Sequence, residues 1–343
     1  MKLSEFQKHL EENNINLTFL ISPDPNITYF TQMKPSHAFL IIKKNDAKFL
    51  ITKLDAKPNL KNISINYIAK DWEIKLKDSK IKTIGINKEL LSIQYQEKLQ
   101  KIYPKAKFVD ISQKLKQLRS QKTPEELTKI TKACKITSNA FNELVKTFSS
   151  KNFKTENDVA FFLEKYMKDK GCEIAFPTIV ASSKNGAIPH HITTNQKLKN
   201  GFIVLDFGAC YQHYNADMSR TIYLGNPSQK EKDTYDLLLK AQLSAIDEIK
   251  NNLSFMHLDK IARFKLGKYN SNFVHSLGHG VGVEVHEAPQ FKNHQIQKNQ
   301  VFTIEPGIYF KKKFGIRIED TLIFNGKTKI LTTSSKKLFT FKI

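Results

Sequence analysis

Two aspartates, eleven residues apart, lie in segments of mainly apolar and aromatic residues. Asp206 falls within residues 202–208 and Asp217 within residues 214–223. A buried carboxylate is costly unless it is ion-paired, hydrogen-bonded or bound to a metal. Asp206 alone would be interpreted as a hydrogen-bonded core residue. Because residues 211–215 can turn the chain, the two segments together predict antiparallel strands that bring both carboxylates to one region.

Three of the ten histidines stand in one short window, as His275, His279 and His286, with glycines among them. A single histidine there would carry no functional meaning. Three histidines at spacings of four and seven residues indicate metal ligands or acid–base groups, because imidazole serves both roles near neutral pH. The glycines allow the backbone and a substrate to approach each other closely.

Two glutamates, Glu305 and Glu319, each interrupt an apolar segment, at residues 301–309 and 315–321. Either glutamate alone could face water at the edge of a sheet. Four carboxylates that share one cavity repel one another, which raises their pKa values or destabilises the site unless cations are present. Two divalent metals would offset this repulsion. Oxygen-rich ligands with one imidazole suit Mn²⁺, Co²⁺, Zn²⁺ or Fe²⁺.

The elements that must position these residues begin near residue 120. Thr123 is predicted to be a helix N-cap, with Pro124 in the first turn and Glu126 completing a capping box. A long helix to about residue 148 should follow. Later patterns predict helices at 157–168, 228–250 and 256–268, strands at 178–181 and 202–209, and strands with glycine turns in the last 70 residues.

The change of pattern near residue 120 predicts two domains, residues 1–120 and residues 121–343. The first domain should be a small α/β unit. Its pattern predicts helices at 3–10 and 90–102, strands at 18–22 and 81–86, and a hairpin of 38–42 with 47–52. The Pro-Asp-Pro-Asn run at residues 23–26 indicates a turn.

The composition is that of a folded protein, with 343 residues, 40% hydrophobic and 26% charged. It excludes a disordered chain, a collagen-like chain and a coiled coil. No apolar run approaches the ~18 residues of a membrane span, and charged residues in the first ten positions exclude a signal peptide. We therefore expect a cytoplasmic protein. Three cysteines far apart, without a Cys-x-x-Cys pair, exclude a disulfide framework and a thiolate zinc site.

The net charge of +22 comes from 55 basic residues, of which only four are arginine. Arginine is the usual residue for bidentate recognition of bases and phosphates, and the lysines are scattered along the chain. We therefore expect a solvated lysine surface and no specific nucleic-acid site, with an affinity for anions as the alternative. Where arginine persists in so lysine-rich a chain, its planar fork should be needed, as at Arg119, Arg220, Arg263 and Arg317.

The order Asp, Asp, His, Glu, Glu, with its surrounding motifs, resembles the pita-bread metallopeptidases. This family includes methionine aminopeptidases, Xaa-Pro aminopeptidases and Xaa-Pro dipeptidases (prolidases). Residues 25–31 resemble the N-terminal α/β domain of the proline-specific branch and its creatinase relatives. The resemblance implies a small creatinase-like α/β domain followed by a pita-bread catalytic domain, in which helices flank a curved antiparallel sheet.

The resemblance also implies a role for each clustered residue. Asp206 would hold one metal, His279 and Glu305 the other, and Asp217 and Glu319 would bridge both. The two metals would be divalent, with Mn²⁺ the first choice and Co²⁺, Zn²⁺ or Fe²⁺ as alternatives. The implied catalytic residues are Glu305 for proton transfer, His286 for the oxyanion, His190 and His275 along the pocket, and Arg317 beside the bridging glutamate.

The choice of branch rests on a few residues. The preceding domain and the Glu-Pro-Gly-Ile-Tyr motif at residues 305–309 favour proline-specific enzymes over methionine aminopeptidases. The intact ligand set distinguishes the chain from creatinase. Many prolidases carry arginine where this chain has Gln290, which favours an Xaa-Pro aminopeptidase acting through a metal-bridging hydroxide. A dipeptidase using Lys292 or another lysine is the alternative, followed by a non-catalytic binding protein. The resemblance implies a homodimer.

Overall fold

The computed structural model describes residues 2–291 and 294–342. Contacts between residues divide the chain into two compact units, Met1–Arg119 and Ser120–Ile343. Within the described ranges, no helix combines the length and the apolar character that crossing a bilayer would require.

The first unit is built on one six-stranded mixed sheet. Its helices are α1 (Lys2–Glu12), α2 (Pro25–Thr31), α3 (Trp72–Lys75), α4 (Ile93–Ile102) and α5 (Ser112–Ser120). Its strands are β1 (Leu17–Ile21), β2 (Ala38–Lys43), β3 (Ala47–Ile51), β4 (Ser64–Tyr67), β5 (Thr83–Ile86) and β6 (Lys107–Asp110). The strands lie in the order β4-β3-β2-β1-β5-β6, with β2 antiparallel to both of its neighbours and the other pairs parallel.

Local sequence signals explain most of this unit. The predicted hairpin is confirmed, with Ile42 opposite Ala47 across the turn. The helix predicted from residue 90 begins later, at Ile93, because the Ser92 hydroxyl caps it by accepting the Tyr95 amide.

The turn predicted at residues 23–26 ends β1 and also starts a helix. Asp24 is the N-cap of α2, its carboxylate accepts the Asn26 amide, and Pro25 occupies the first helical position. Aspartate followed by proline favours turns and helix starts alike, so the pattern alone did not distinguish the two.

The second unit contains longer helices and several short sheets. Its helices are α6 (Pro124–Lys151), α7 (Glu156–Asp169), α8 (Gln229–Asp247) and α9 (Phe255–Leu266), with 3₁₀ turns at Ser183–Ala187 and Gly267–Asn272. Its first strands are β7 (Glu173–Ile174), β8 (Ile179–Ser182), β9 (Gly201–Phe207), β10 (Ala209–Tyr211), β11 (Tyr214–Asn215) and β12 (Met218–Leu224). The later strands are β13 (His279–Gly280), β14 (Glu287–Gln290), β15 (Gln300–Ile304), β16 (Gly307–Phe310), β17 (Phe314–Arg317), β18 (Asp320–Phe324), β19 (Thr328–Ile330) and β20 (Thr340–Phe341).

The predicted start of α6 is confirmed in detail. The Thr123 hydroxyl accepts the Glu126 amide, and the Glu126 carboxylate accepts the Thr123 amide at 2.8 Å. These reciprocal bonds satisfy two of the backbone donors that a helix N-terminus leaves open.

Two sheets position the clustered residues, and their strand pairs are antiparallel except for the parallel pair of β12 with β20. The first has the order β20-β12-β9-β8, and the second has the order β14-β13-β15-β18-β19. Leu205 and Phe207 of β9 pack in one core cluster with Leu144 of α6 and Leu163 of α7. Because side chains alternate along a strand, Asp206 points away from these helices. The helices therefore cover one face of the sheet and leave the other to the carboxylates.

Candidate metal centre

The five predicted metal ligands lie in strands or directly beside them. Asp206 is in β9 and His279 is in β13. Asp217 directly precedes β12, Glu305 directly follows β15, and Glu319 falls between β17 and β18. The predicted antiparallel pairing of β9 with β12 is confirmed, and its register sets Ser219 of β12 opposite Asp206 of β9. Strand ends release side chains from the sheet while keeping them on rigid elements.

The ligand atoms of these five residues form two overlapping groups. One group consists of Asp206, Asp217 and Glu319, and the other of His279, Glu305 and Glu319, with the atoms of each group within 4.8 Å of one another. Glu319 belongs to both groups, so a carboxylate stands where two cations could share it. A further group joins Asp217 and His279 to His286.

Two carboxylate oxygens in the site lack the donors that a structural role would provide. Asp206 Oδ1 and Asp217 Oδ1 are buried and accept no hydrogen bond from the part of the chain that the structure describes. Buried polar atoms nearly always have partners. Such unsatisfied oxygens in a group of carboxylates fit divalent cations, whose oxygen ligands they would be.

The pKa values of the clustered carboxyl groups also indicate that the site suits divalent cations. Burial, followed by repulsion from Glu319 and Asp206, raises the pKa of Asp217 well above its usual value. Burial and repulsion from Glu305 likewise raise the pKa of Glu319. The pKa of Glu305 rises to about 8, mainly because the carboxyl is buried. Bound cations would oppose these shifts by stabilising the ionised forms.

The ring of His279 is oriented as a metal ligand requires. Its Nδ1 lies 3.2 Å from the Gly280 carbonyl, which can only accept a hydrogen bond, so Nδ1 carries the proton. Nε2 is then unprotonated and lies 3.3 Å from Glu305 Oε1 and 3.5 Å from Asp217 Oδ2. A carbonyl that fixes the tautomer in this way is the usual partner of a metal-binding histidine.

Glycine at position 278 is required by the approach of a neighbouring strand. A Cβ atom at Gly278 would lie 2.1 Å from the Thr303 carbonyl oxygen. The Thr303 hydroxyl in turn accepts the His279 amide at 3.1 Å. Gly278 therefore allows the chain at the start of β13 to pack closely against β15, which is a role beyond admitting a substrate.

Arg317 connects the two ends of the site. Its Nη2 donates to Asp206 Oδ2 at 2.5 Å, and its Nε donates to the Ser219 hydroxyl at 2.8 Å. That hydroxyl donates to Glu319 Oε2 at 2.8 Å. A planar guanidinium can bond two such acceptors at once, which an ammonium group does less well.

A second buried charge network lies directly behind Glu319. Asp320 is fully buried, and it accepts hydrogen bonds from Arg220 at 2.7 Å and Lys336 at 2.9 Å. Burial alone would raise the pKa of Asp320, but these two cations hold it below its usual value. Arg220 also donates to the backbone carbonyl of Glu319. This network anchors the strand end that presents Glu319.

Two of the three predicted pocket histidines, His275 and His286, lie beside the carboxylates. The rings of His279 and His286 lie 4.0 Å apart. His275 Nδ1 is 3.9 Å from Glu305 Oε2. Burial, with positive neighbours, lowers the pKa of both His275 and His286 to about 4. The rings of His275 and His286 are therefore neutral at physiological pH. The residue before His190 contacts the site directly, because Arg317 Nη1 donates to the Pro189 carbonyl at 3.3 Å.

The ring of His275 is held at both nitrogens. Nδ1 lies 2.9 Å from the Ser276 carbonyl and therefore donates to it. Nε2 then accepts from the Tyr309 hydroxyl at 2.9 Å. That hydroxyl also accepts from Arg317 Nη1 at 2.9 Å. Tyr309 thus links the pocket histidine to the arginine of the metal centre, a connection that the sequence analysis did not include.

The loop that carries His190 is anchored through the next residue. His191 Nε2 lies 2.9 Å from the Glu156 carboxylate, whose side chain is fully buried. The other oxygen of Glu156 accepts the Ser182 amide at 2.9 Å and the Asn185 side-chain amide at 2.8 Å. Glu156 starts α7 and lies 35 residues before His191, so periodicity along the chain gave no signal of this contact.

The loop that carries His286 is held in a similar way. The next residue, Glu287, forms an ion pair with Lys122 at 2.6 Å, and their side chains are 1% and 0% exposed. A buried ion pair requires good geometry to offset its desolvation. Gln290, in β14, is exposed and lies opposite His279 in the strand register. Lys292, the sequence-based candidate for binding a substrate carboxylate, lies outside the described residues.

Family models match both units of the chain. Residues 128–325 match "Metallopeptidase family M24", and residues 2–121 match "Creatinase/Prolidase N-terminal domain". The chain is 35% identical over 351 residues to a protein of Pyrococcus furiosus named Xaa-Pro dipeptidase, with 98% of this chain and 99% of that protein covered.

Solved structures agree along the whole length. The prolidase of Pyrococcus horikoshii OT3 superposes with a TM-score of 0.89 at 31% identity, covering 98% of this chain and 99% of that one. A structure described as X-Pro aminopeptidase from Thermotoga maritima MSB8 gives a TM-score of 0.89 at 32% identity, covering 99% of both chains. The predicted fold, a creatinase-like domain followed by a pita-bread domain, is confirmed. The chain belongs to metallopeptidase family M24 and is a metal-dependent hydrolase of peptides.

Proposed function

We propose that this protein is an Xaa-Pro dipeptidase that uses two divalent metal ions, with Mn²⁺ as the first candidate. The observation that carries the two-metal part is the membership of Glu319 in two ligand groups that together contain all five predicted ligands. The substrate class is supported by relatives named Xaa-Pro dipeptidase in two Pyrococcus species, which match 98% of this chain. This choice differs from the aminopeptidase that Gln290 favoured in the sequence.

Each ligand has a distinct place in this proposal. Asp206 would hold one ion and His279 with Glu305 the other, while Asp217 and Glu319 would be shared. The ions would supply Lewis acidity at the carbonyl before proline and would lower the pKa of water at the site. Arg317 would hold Asp206 and, through Ser219, Glu319 in the orientation that both ligand groups require.

Glu305 is suited to move a proton. Its Oε1 is close to the Thr303 hydroxyl, at 3.4 Å, and to His279 Nε2, at 3.3 Å. Its Oε2 has the longer contact, 3.9 Å to His275 Nδ1. We assign to Oε2 the transfer of a proton from the attacking water to the proline nitrogen. An amine anion is a very poor leaving group, so the proline nitrogen must receive a proton as its bond to the carbonyl carbon breaks.

The histidines would bind and orient the substrate. His286 and His190 are exposed at the pocket, and a neutral His286 can donate a hydrogen bond to the oxygen that becomes negative during attack. His275 has both ring nitrogens engaged, so it would form a fixed wall of the pocket.

A second candidate function is an Xaa-Pro aminopeptidase, which releases the first residue from longer peptides. Two observations favour it: the similarity to the Thermotoga maritima structure, and Gln290 at the position where many prolidases carry arginine. A dipeptidase needs a cation for the free carboxylate of its substrate, whereas an aminopeptidase does not. The two candidates therefore differ in their response to that carboxylate.

A pair of substrates that differ only in this charge separates the two candidates. The Mn²⁺-loaded protein would be given Ala-Pro, its amide Ala-Pro-NH₂ and the tripeptide Ala-Pro-Ala, with products identified by mass spectrometry. We expect Ala-Pro to be cleaved with a kcat/KM at least about a hundredfold above the other two, because the amide lacks the carboxylate that a dipeptidase pairs with a cation, and the tripeptide carries its carboxylate one residue too far away. Ala-Ala, which has an ordinary secondary amide, serves as the control for the proline requirement.

Cleavage of the tripeptide at least as fast as that of Ala-Pro would overturn the dipeptidase assignment. Release of Ala from Ala-Pro-Ala at a rate equal to that of Ala-Pro would establish the aminopeptidase. If all X-Pro substrates resist cleavage with metal present, the chain is not a proline-specific peptidase, and the non-catalytic alternative gains support. The homodimer predicted from the family is part of the proposal and would be measured on the same preparation by light scattering.

A further inference from the structure

We propose that the ion pair of Arg263 with Asp259, on α9, is a positioning element that fixes His275 against the substrate pocket. The pair lies outside the five ligands and the pocket histidines. The inference rests on the proposed function for the role of His275, and on the geometry below for the role of the ion pair. Arg263 is also one of only four arginines in the chain, and the metal site does not account for it.

The guanidinium of Arg263 donates four hydrogen bonds, the longest of them to Asn270 Oδ1 at 3.4 Å. Its Nε donates to Asp259 Oδ2 at 2.6 Å. Its Nη1 donates to the Phe273 carbonyl at 2.9 Å, and its Nη2 donates to the His275 carbonyl at 2.7 Å. Its central carbon lies 4.3 Å from the centre of the Phe273 ring. The planar guanidinium therefore contacts the Asp259 side chain of α9 on one side and the backbone that carries His275 on the other.

Asp259 also forms a hydrogen bond to the backbone near His275. Its second oxygen, Oδ1, accepts the Leu277 amide at 3.1 Å. The helical spacing of four residues places Asp259 and Arg263 side by side on α9. Residues 273–277, which we call the His275 segment, contain no helix or strand. The ion pair thus supplies partners to backbone groups before, at and after His275 that regular structure does not satisfy.

The position of this backbone determines the contacts of the His275 ring. The ring donates to the Ser276 carbonyl and accepts from the Tyr309 hydroxyl, both at 2.9 Å. It also meets the Phe273 ring edge-to-face, with the ring centres 4.9 Å apart. Hydrogen bonds to nitrogen and oxygen in proteins usually span about 2.7–3.2 Å, so a displacement of the segment that lengthens or bends these contacts would release the ring.

Lysine could not replace Arg263 in this role. An ammonium group is a point charge on a flexible stem, and it cannot keep four acceptors and a ring in one planar arrangement. Arg263→Lys therefore keeps the charge and removes the fork. We expect it to lower kcat/KM for Ala-Pro about tenfold or more, because small misplacements of pocket residues have effects of this size. Asp259→Asn keeps an acceptor oxygen for the Leu277 amide, so its kcat/KM for Ala-Pro should fall less than that of Arg263→Lys.

A double-mutant cycle with His275 separates positioning from general stability. His275→Asn removes the ring on which the ion pair is proposed to act. If Arg263 acts through His275, adding Arg263→Lys to His275→Asn should change kcat/KM by less than about threefold. The control is Lys260→Gln, an exposed change on the same helix, which should leave activity unchanged. Losses that multiply in the double mutant, or a fully active Arg263→Lys protein, would overturn the inference.

Hydrogen exchange tests the same idea without using activity. In Arg263→Lys, the peptide that covers the His275 segment should exchange at least about tenfold faster, while peptides from α6 and α8 stay unchanged. Unchanged exchange in this peptide would refute the structural role of the ion pair. A wild-type protein that fails to cleave any X-Pro substrate would refute the proposed function, while the exchange result would still decide whether the ion pair holds the segment.

Discussion

Asp217→Asn is expected to lower kcat/KM for an X-Pro substrate by at least about a thousandfold while leaving the fold intact. In the proposal Asp217 is shared by the two ions, because its carboxylate groups with Asp206 and Glu319 and its Oδ2 lies 3.5 Å from Nε2 of His279 in the other group. Asparagine has nearly the same shape but carries no charge, and its nitrogen cannot bind a cation. The change would therefore remove the shared ligand and little else.

The fold should tolerate this substitution for a reason that the structure provides. Burial and neighbouring carboxylates raise the pKa of Asp217 well above its usual value, so its ionised form is unfavourable when no cation is bound. A neutral amide removes that unfavourable charge. We expect the melting temperature of the metal-free Asp217→Asn protein to equal or exceed that of the metal-free wild type.

The control for this variant is Asp236→Asn, which makes the same chemical change at an exposed position on α8. It should keep wild-type activity. Metal content, circular dichroism and kcat/KM would be measured for both proteins. An Asp217→Asn protein that retains a tenth of the wild-type rate would contradict the role of Asp217 as a shared ligand.

Removal of metal is expected to reverse the way in which stability depends on pH. Burial raises the pKa of Glu305 from about 4.5 to about 8, so between these values the folded chain binds a proton that the unfolded chain has released. Stability therefore falls as pH rises through this interval, with a limiting slope of about 1.4 kcal/mol per pH unit for one carboxyl. Asp217 and Glu319, whose pKa values are also raised, act in the same direction.

The pocket histidines limit the pH range in which the metal-free protein should lose stability as pH rises. The pKa values of His275 and His286 are lowered to about 4 from 6.5. Their contribution is present above pH 6.5 and is lost as pH falls from 6.5 towards 4. The opposing contribution of the histidines fades within about one pH unit above 6.5, so from about pH 7.5 to pH 8 the carboxyl groups dominate, and the melting temperature of the metal-free protein should fall there.

Saturating Mn²⁺ should produce the opposite trend. A cation competes with protons for the carboxylates, so its stabilisation should grow with pH between 6.5 and 8. Thermal melts with and without a chelator would measure both trends. Metal-free Glu305→Gln, which lacks the titrating carboxyl, should show a flatter pH dependence than the metal-free wild type. Parallel curves with and without Mn²⁺ would contradict the placement of cations among these carboxyl groups.

Interactions between residues close in the sequence made part of this structure predictable. The capping box at Thr123 and the hairpin of β2 with β3 follow from side chains within a few residues of one another. The strand that carries Asp206 was predicted from its run of apolar residues, and the site was predicted only from Asp206 together with Asp217, the histidine window and the two glutamates. The family resemblance then supplied the order of ligands, which single-residue patterns could not provide.

Contacts between distant residues account for what the sequence did not predict. Glu156 contacts His191 across 35 residues, and Lys122 contacts Glu287 across 165. In each case the residue is an ordinary charged side chain until the fold buries it. Charge and spacing along the chain carry no information about such pairs, because their partners are selected by tertiary packing. One sequence argument did indicate some of these distant contacts. It held that arginine is kept in this lysine-rich chain where its planar fork is needed, and Arg263 and Arg317 both use that fork.

The most direct test of the central claim is a titration of the metal-free protein with Mn²⁺ while the release of proline from Ala-Pro is followed. The proposal predicts no hydrolysis without metal, and a rate that rises until two ions are bound per chain, as counted by elemental analysis of the same samples. The Asp217→Asn protein should stay inactive throughout the titration. Hydrolysis by the fully metal-free wild type, or a rate that does not respond to bound Mn²⁺, would contradict the account.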